Sequence, residues 1–96
     1  MSNRDNAPEY LIIGQVVGSW GVRGEAKVSI ITDFPERFSS LKRVYLGEGY
    51  VPYKVQHARL HKRWALIKFV GVDDPADARA LAGQYVCIPI AEAMPL

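Results

Sequence analysis

Apolar and polar positions alternate with a period of two along much of this chain, and the alternation breaks at glycine, proline and clustered charge. Tyr10 to Val17 is rich in β-branched residues and apolar on both sides, the pattern of a central strand. Gly14 inside it marks a bend or a close backbone approach. From Glu25 to Ile31 the alternation is clean. Ala26, Val28 and Ile30 take the inner face, and Glu25, Lys27 and Ser29 the outer. Lys42 to Leu46 predicts a short strand, Gly47-Glu48-Gly49 a hairpin turn, and Tyr50 to Leu60 a long strand. That strand changes phase. Val51, Tyr53 and Val55 share one face, Ala58 and Leu60 the other, so a β-bulge is predicted near Gln56-His57. His61-Lys62-Arg63 reads as a charged hairpin tip. Trp64 to Val70 follows with Ala65, Ile67 and Phe69 on one face, and Tyr85 to Ile88 is the last strand.

Two stretches carry helical signals instead. Asp33 is placed to cap a short turn, with Glu36 completing a capping box. Phe34 and Phe38 would pin that turn over one end of the fold. Asp74 is a better N-cap: Pro75 follows at the first helical position, Asp77 complements the helix dipole and Gly83 ends the run. Six strands, tight turns and one short helix predict an all-β barrel or sandwich. Such short strands in so few residues favour a small closed or nearly closed barrel.

The chain's organising stretch lies between the first two strands, with glycines at Gly14, Gly18, Gly21 and Gly24. Glycine relieves positive φ angles and lets backbones touch, at an entropic cost. Their clustering predicts a specific loop that lifts Trp20 and Arg23 out of the strands, with Lys27 on the outer face beyond. For the glycines themselves, a tight turn between paired strands suffices. Trp20 beside Arg23 suits contact with protein or RNA, or Trp20 folds back to plug the barrel end. A second cluster, Arg59, His61, Lys62 and Arg63 beside Trp64, either tracks phosphates or keeps a turn soluble.

Bulk properties add bounds. The 96 residues make one domain, and the net charge of +2 is only mildly basic. One cysteine, Cys87, precludes an internal disulfide and fits a reducing, cytoplasmic setting. Residues 1–9 are polar, unlike a signal peptide, and read as a disordered tail. No apolar run approaches the ~20 residues that span a bilayer.

Candidate chemistry is sparse. The glycines match neither the P-loop nor the dinucleotide pattern, and a strand follows them where a helix is needed. His57, His61 and Cys87 lack zinc-site spacing, so the histidines read as solvated residues and Cys87 as a buried small hydrophobe. Asp73 and Asp74 serve better as a helix cap than as an acid–base pair. Glu25 reads as a surface partner of Arg23 or Lys27. The expectation is a protein without catalysis, metal or cofactor.

Several motifs recur in order: Gly-x-Val…Gly-x-x-Gly-Val-Arg-Gly-Glu-x-Lys-Val, then Thr32-Asp33-Phe34-Pro35-Glu36-Arg37-Phe38, then Val44-Tyr45-Leu46-Gly47, then Gly71-Val72-Asp73-Asp74 with the alanine-rich helix and Gly83. Over about residues 10 to 96 they resemble the N-terminal domain of the RimM family of bacterial ribosome maturation factors. The family often carries His where this chain has Trp20. The resemblance implies a six-stranded Greek-key β-barrel, similar to translation-factor barrels, over residues 10–89. It implies a monomeric, non-catalytic factor that binds the immature small ribosomal subunit, aids folding of the rRNA of its head and assists rRNA processing. It also implies a ribosomal protein of the head as partner, bound mainly through a second, PRC-barrel domain not contained in this sequence, with residues 90–96 as the start of the interdomain linker. On this reading Trp20, Arg23, Lys27, Arg59, His61, Lys62 and Arg63 contact the partner. A protein-docking module with no RNA contact is the alternative, and a small-ligand barrel enzyme a third.

Overall fold

The computed structural model describes residues 9–93. The strands are β1 (Tyr10–Trp20), β2 (Glu25–Ile30), β3 (Arg43–Leu46), β4 (Val51–His61), β5 (Trp64–Phe69) and β6 (Tyr85–Pro89). They are all antiparallel and close into one barrel in the order β1-β2-β5-β4-β3-β6. The link from β2 to β3 skips β5 and β4, which gives the Greek-key crossover. Two short α-helices accompany the strands, α1 (Pro75–Arg79) and α2 (Ile90–Ala93), where the sequence predicted one. The extra helix is a single turn that continues directly from β6. The predicted tail and the last linker residues, 1–8 and 94–96, lie outside the described residues. Among the described residues no helix is long and apolar enough to cross a membrane.

The period-two pattern holds on the inner face of β2 and β5, with Ile30 only half-buried, but not along β4, where Val51 and Leu60 stay exposed. Ala26, Val28, Ala65, Ile67 and Phe69 are wholly buried, joined by Ile13, Val16, Val44, Leu46 and Val86. The predicted bulge is present: the β4–β5 register shifts between Val55 and His57, leaving Gln56 as the extra residue. Strand β1 is longer than predicted, because Gly18, Ser19 and Trp20 pair with Lys27, Ala26 and Glu25. Only Gly21–Gly24 remain as the turn, so Trp20 belongs to a strand and is not lifted out by a loop.

The crossover between β2 and β3 forms a 3₁₀ segment, Pro35–Ser40. Neither Asp33 nor Glu36 caps it. The Thr32 hydroxyl accepts from the Phe34 amide at 3.2 Å instead, and the capping-box prediction fails because Phe34 holds the cap position. Phe38 closes the barrel end and is wholly buried, but Phe34 stays 57% exposed. Helix α1 starts as predicted, with the Asp74 carboxylate accepting from the Asp77 amide at 2.9 Å, but it ends at Arg79 with Ala80 as its C-cap, and turns rather than helix lead on to Gly83. Cys87 is buried as expected, and burial pushes its thiol above the ordinary range.

Lys68 is one of three outward-facing residues of β2 and β5, with Glu25 and Leu66, that are buried. It faces outward on β5 yet is only 7% exposed. Its ammonium donates to the carbonyls of Phe69 and Val72 and to Asp73 Oδ1. All three ammonium protons thus find oxygens, which is what allows a lysine to be buried. The lysine ties the loop after β5 to the barrel wall and delivers Asp73 and Asp74 to the β1–β2 turn.

Candidate nucleic-acid interface

Strands β1, β2, β5 and β4 are neighbours in the barrel, and their registers fix which outward side chains meet. Trp20 pairs with Glu25, Ser29 with Trp64, and Trp64 with His61. Leu66 sits between Lys27 and Arg59. The side chains lean across these rows. The Lys27 ammonium lies 4.2 Å from the centre of the Trp64 ring and 5.8 Å from that of Trp20. The Trp20 ring lies 5.0 Å from His61 at a 50° tilt. A cation held between two indoles is a cation–π arrangement. It leaves a lysine charge and half-buried aromatic rings together on the outside of the barrel. Leu66 lies under this layer, facing outward and wholly buried, so the larger side chains around it form a roof.

Trp20 therefore neither stands free at a loop tip nor plugs the barrel end. It is half-buried, lying on the outer wall against His61. His61, read as solvated, is half-buried for the same reason, while His57 is exposed. Trp64, noted in the sequence only as a neighbour of the basic cluster, is a central member. Its position opposite Ser29, one row beyond Lys27 on the same face, is the signal that would have found it.

Glu25 corrects a second expectation. It is buried, at 9% exposed, and its partner is Arg59 rather than Arg23 or Lys27: Arg59 Nη2 donates to Glu25 Oε1 at 3.4 Å. The other carboxylate oxygen, Oε2, is buried without a hydrogen-bond partner among the described residues. A half-satisfied buried carboxylate holds a half-exposed guanidinium. Arg59 is thus oriented as well as charged.

Arg23 and the Lys62-Arg63 tip do not converge. The Gly21–Gly24 turn adjoins Glu25, at the start of β2, whereas the Lys62-Arg63 turn adjoins Trp64, which pairs with Ser29 near its end. The turns sit at opposite ends of β2, and the Trp20–Lys27–Trp64–His61 group bridges them. All three basic residues are exposed, and Lys62 takes a positive φ of 57° in its turn. Among the described residues no group of His, Cys, Asp and Glu is placed to hold a metal.

The glycines divide by function. A Cβ on Gly24 would come within 2.6 Å of the Asp74 amide nitrogen, and its φ is +80°. On Gly14 a Cβ would come within 2.7 Å of the Ser29 carbonyl oxygen. Gly21 needs its φ of +69° but has open space, and Gly18 needs neither. Gly24 is where the α1 cap docks on the turn that carries Arg23.

A family model described as the RimM N-terminal domain matches residues 11–93. The chain belongs to that family. RimM ribosome maturation factors are among its curated relatives. The one from Ruminiclostridium cellulolyticum is 39% identical over 90 residues, covering 92% of this chain and 53% of the relative. The Roseiflexus RimM is 38% identical over 98 residues, covering 100% and 54%. The chain spans about half the length of these relatives. A crystal structure of RimM from Pseudomonas aeruginosa superposes with a TM-score of 0.80 at 32% identity, over 91% of this chain and 54% of that one. The solution structure of the RimM N-terminal domain from Thermus thermophilus matches at 0.72 over 91% and 96%. At 22% identity the latter speaks to the barrel alone.

Proposed function

We propose that this chain is the RNA- and ribonucleoprotein-binding barrel of a ribosome maturation factor. In this reading it binds the immature small subunit at the rRNA of its head, assists assembly and rRNA processing there, and performs no bond chemistry. It works in the cytoplasm as a monomer, and a ribosomal protein of the head is held mainly by a further domain. The supporting observation is the Lys27 ammonium set between the Trp20 and Trp64 rings on the barrel's outer wall. Aromatic faces stack on bases while adjacent cations meet phosphates, and that combination tolerates varied sequence. Arg59 extends the same face. Arg23 and Lys62-Arg63 extend it toward the two barrel ends. The curated relatives named as ribosome maturation factors supply the setting.

The test is co-sedimentation with immature small subunits over a salt series. Arg23→Glu and Lys27→Glu are each expected to lower the bound fraction severalfold while thermal unfolding stays within a few degrees of the parent. Log affinity should fall steeply with log salt, since each phosphate contact releases counterions. Unchanged sedimentation of both variants would end the proposal. A flat salt dependence with binding intact would favour a protein-docking barrel without RNA contact.

A further inference from the structure

On the far side of the ring from β2 and β5 a cleft of about 950 Å³ opens between the 3₁₀ segment and β3, β4 and β6. Arg37, Lys42, Arg43 and Lys54 line it, against Glu36 and Glu92. Arg43 and Lys54 are direct cross-strand partners. Like charges so placed repel, and among the described residues neither has a carboxylate within salt-bridge distance. Arg37 is more unusual. Its Nε and Nη1 are buried with no hydrogen-bond partner among the described residues, and its guanidinium lies 5.5 Å from the centre of the exposed Phe34 ring. Leaving buried cationic donors unmatched is costly. A site with surplus positive charge, orphaned donors and an exposed aromatic face is short of an anion and a flat ring.

We propose that this cleft binds a single-stranded RNA segment, its phosphates met by Arg37, Arg43 and Lys54 and a base stacked on Phe34. It is a second RNA anchor, separate from the Trp20–Trp64 face, and it rests on the reading that the barrel binds RNA. The two anchors lie on different walls, so one RNA chain, or two neighbouring ones, could be held around the barrel.

The experiment is an amide NMR titration of the 96-residue chain with a single-stranded RNA hexamer, with inorganic phosphate and with an acidic peptide. The hexamer should shift the amides from Phe34 to Arg43 and that of Lys54, saturably, with a log–log salt slope of about −2 for some three phosphate contacts. The R43E/K54E double variant should weaken that binding at least about tenfold. Phe34→Ala should weaken the hexamer and leave inorganic phosphate unaffected. Both variants change exposed side chains, and a dispersed spectrum checks that each is folded. Equal per-phosphate binding of inorganic phosphate, tighter binding of the peptide, or a double variant that binds like the parent would each overturn the proposal. Shifts confined to Trp20, Lys27, His61 and Trp64 would also overturn it while leaving RNA binding by the barrel intact. No shift on either wall would remove both.

Discussion

Gly24→Ala is expected to lower stability by about 3 kcal/mol or more, read as a drop in the denaturation midpoint. Two costs combine. The positive φ places an L side chain in a region worth about 1–2 kcal/mol of strain. The new Cβ would also overlap the backbone at Asp73 and Asp74, within 2.6–2.8 Å. Backbone cannot swing aside as a flexible side chain can, so the β5–α1 connection must lift from the turn. The other glycines of the stretch act as internal controls. Gly14→Ala should be comparably damaging, because its Cβ would meet the Ser29 carbonyl oxygen at 2.7 Å and Val28 Cγ1 at 2.6 Å. Gly21→Ala should cost about 1 kcal/mol, from φ alone. Gly18→Ala should be neutral or slightly stabilising, since alanine restricts the unfolded chain and here meets nothing. Equal losses at Gly18 and Gly24 would show that the close approach of the α1 cap is not what the glycine serves.

Phe38→Ala is expected to cost about 3–5 kcal/mol, the range for deleting a buried aromatic ring. A domain of this size has only about 5–15 kcal/mol in total, so the variant would be left with a small fraction of its stability or fail to fold. Phe38 and Phe69 are the largest wholly buried side chains among the described residues, and of the two only Phe38 comes from the crossover rather than from a strand. Its Cζ would lie 3.4 Å from a Cβ on Gly14, so it packs against Gly14, where β1 pairs with Ile30 at the end of β2. The neighbouring Phe34→Ala, at an exposed ring, should cost under about 1 kcal/mol. Urea unfolding of the two variants side by side separates a plug from a surface ring. A small loss at Phe38 would mean that the barrel end refills from elsewhere.

What was legible in the sequence follows the range of the interaction. The inner face of β2 and β5, the Gln56 bulge and the Asp74 cap depend on residues a few positions apart, and the alternation, its phase change and the cap pattern display them directly. The full length of β1 was missed because Gly18, a residue type that usually ends a strand, here lies inside one, held by pairing to Lys27 of β2. The Glu25–Arg59 pair joins residues 34 positions apart and crosses between β2 and β4 over β5. No local pattern specifies that. The Trp20–Lys27–Trp64–His61 group likewise requires three registers to be known at once. The cationic cleft assembles residues from Phe34 to Glu92, and its surplus charge is invisible in a net charge of +2. Phe34 and Phe38 looked alike in sequence, and only the path of the 3₁₀ segment distinguishes them.

The ring of strands is not equally well sewn. β1 and β2 share six residue pairs, from Gly14–Ile30 to Trp20–Glu25, but β3 meets β6 at only two, Tyr45–Cys87 and Leu46–Val86. Thermal breathing of a cylinder begins where the fewest rungs hold it, so this short seam is where the wall parts first and where amide protons trade with solvent soonest. Tyr45 lies in that seam and Arg43 and Ile88 beside it, all three lining the cleft, so a strand of polymer lying along the cleft would clasp the cylinder shut.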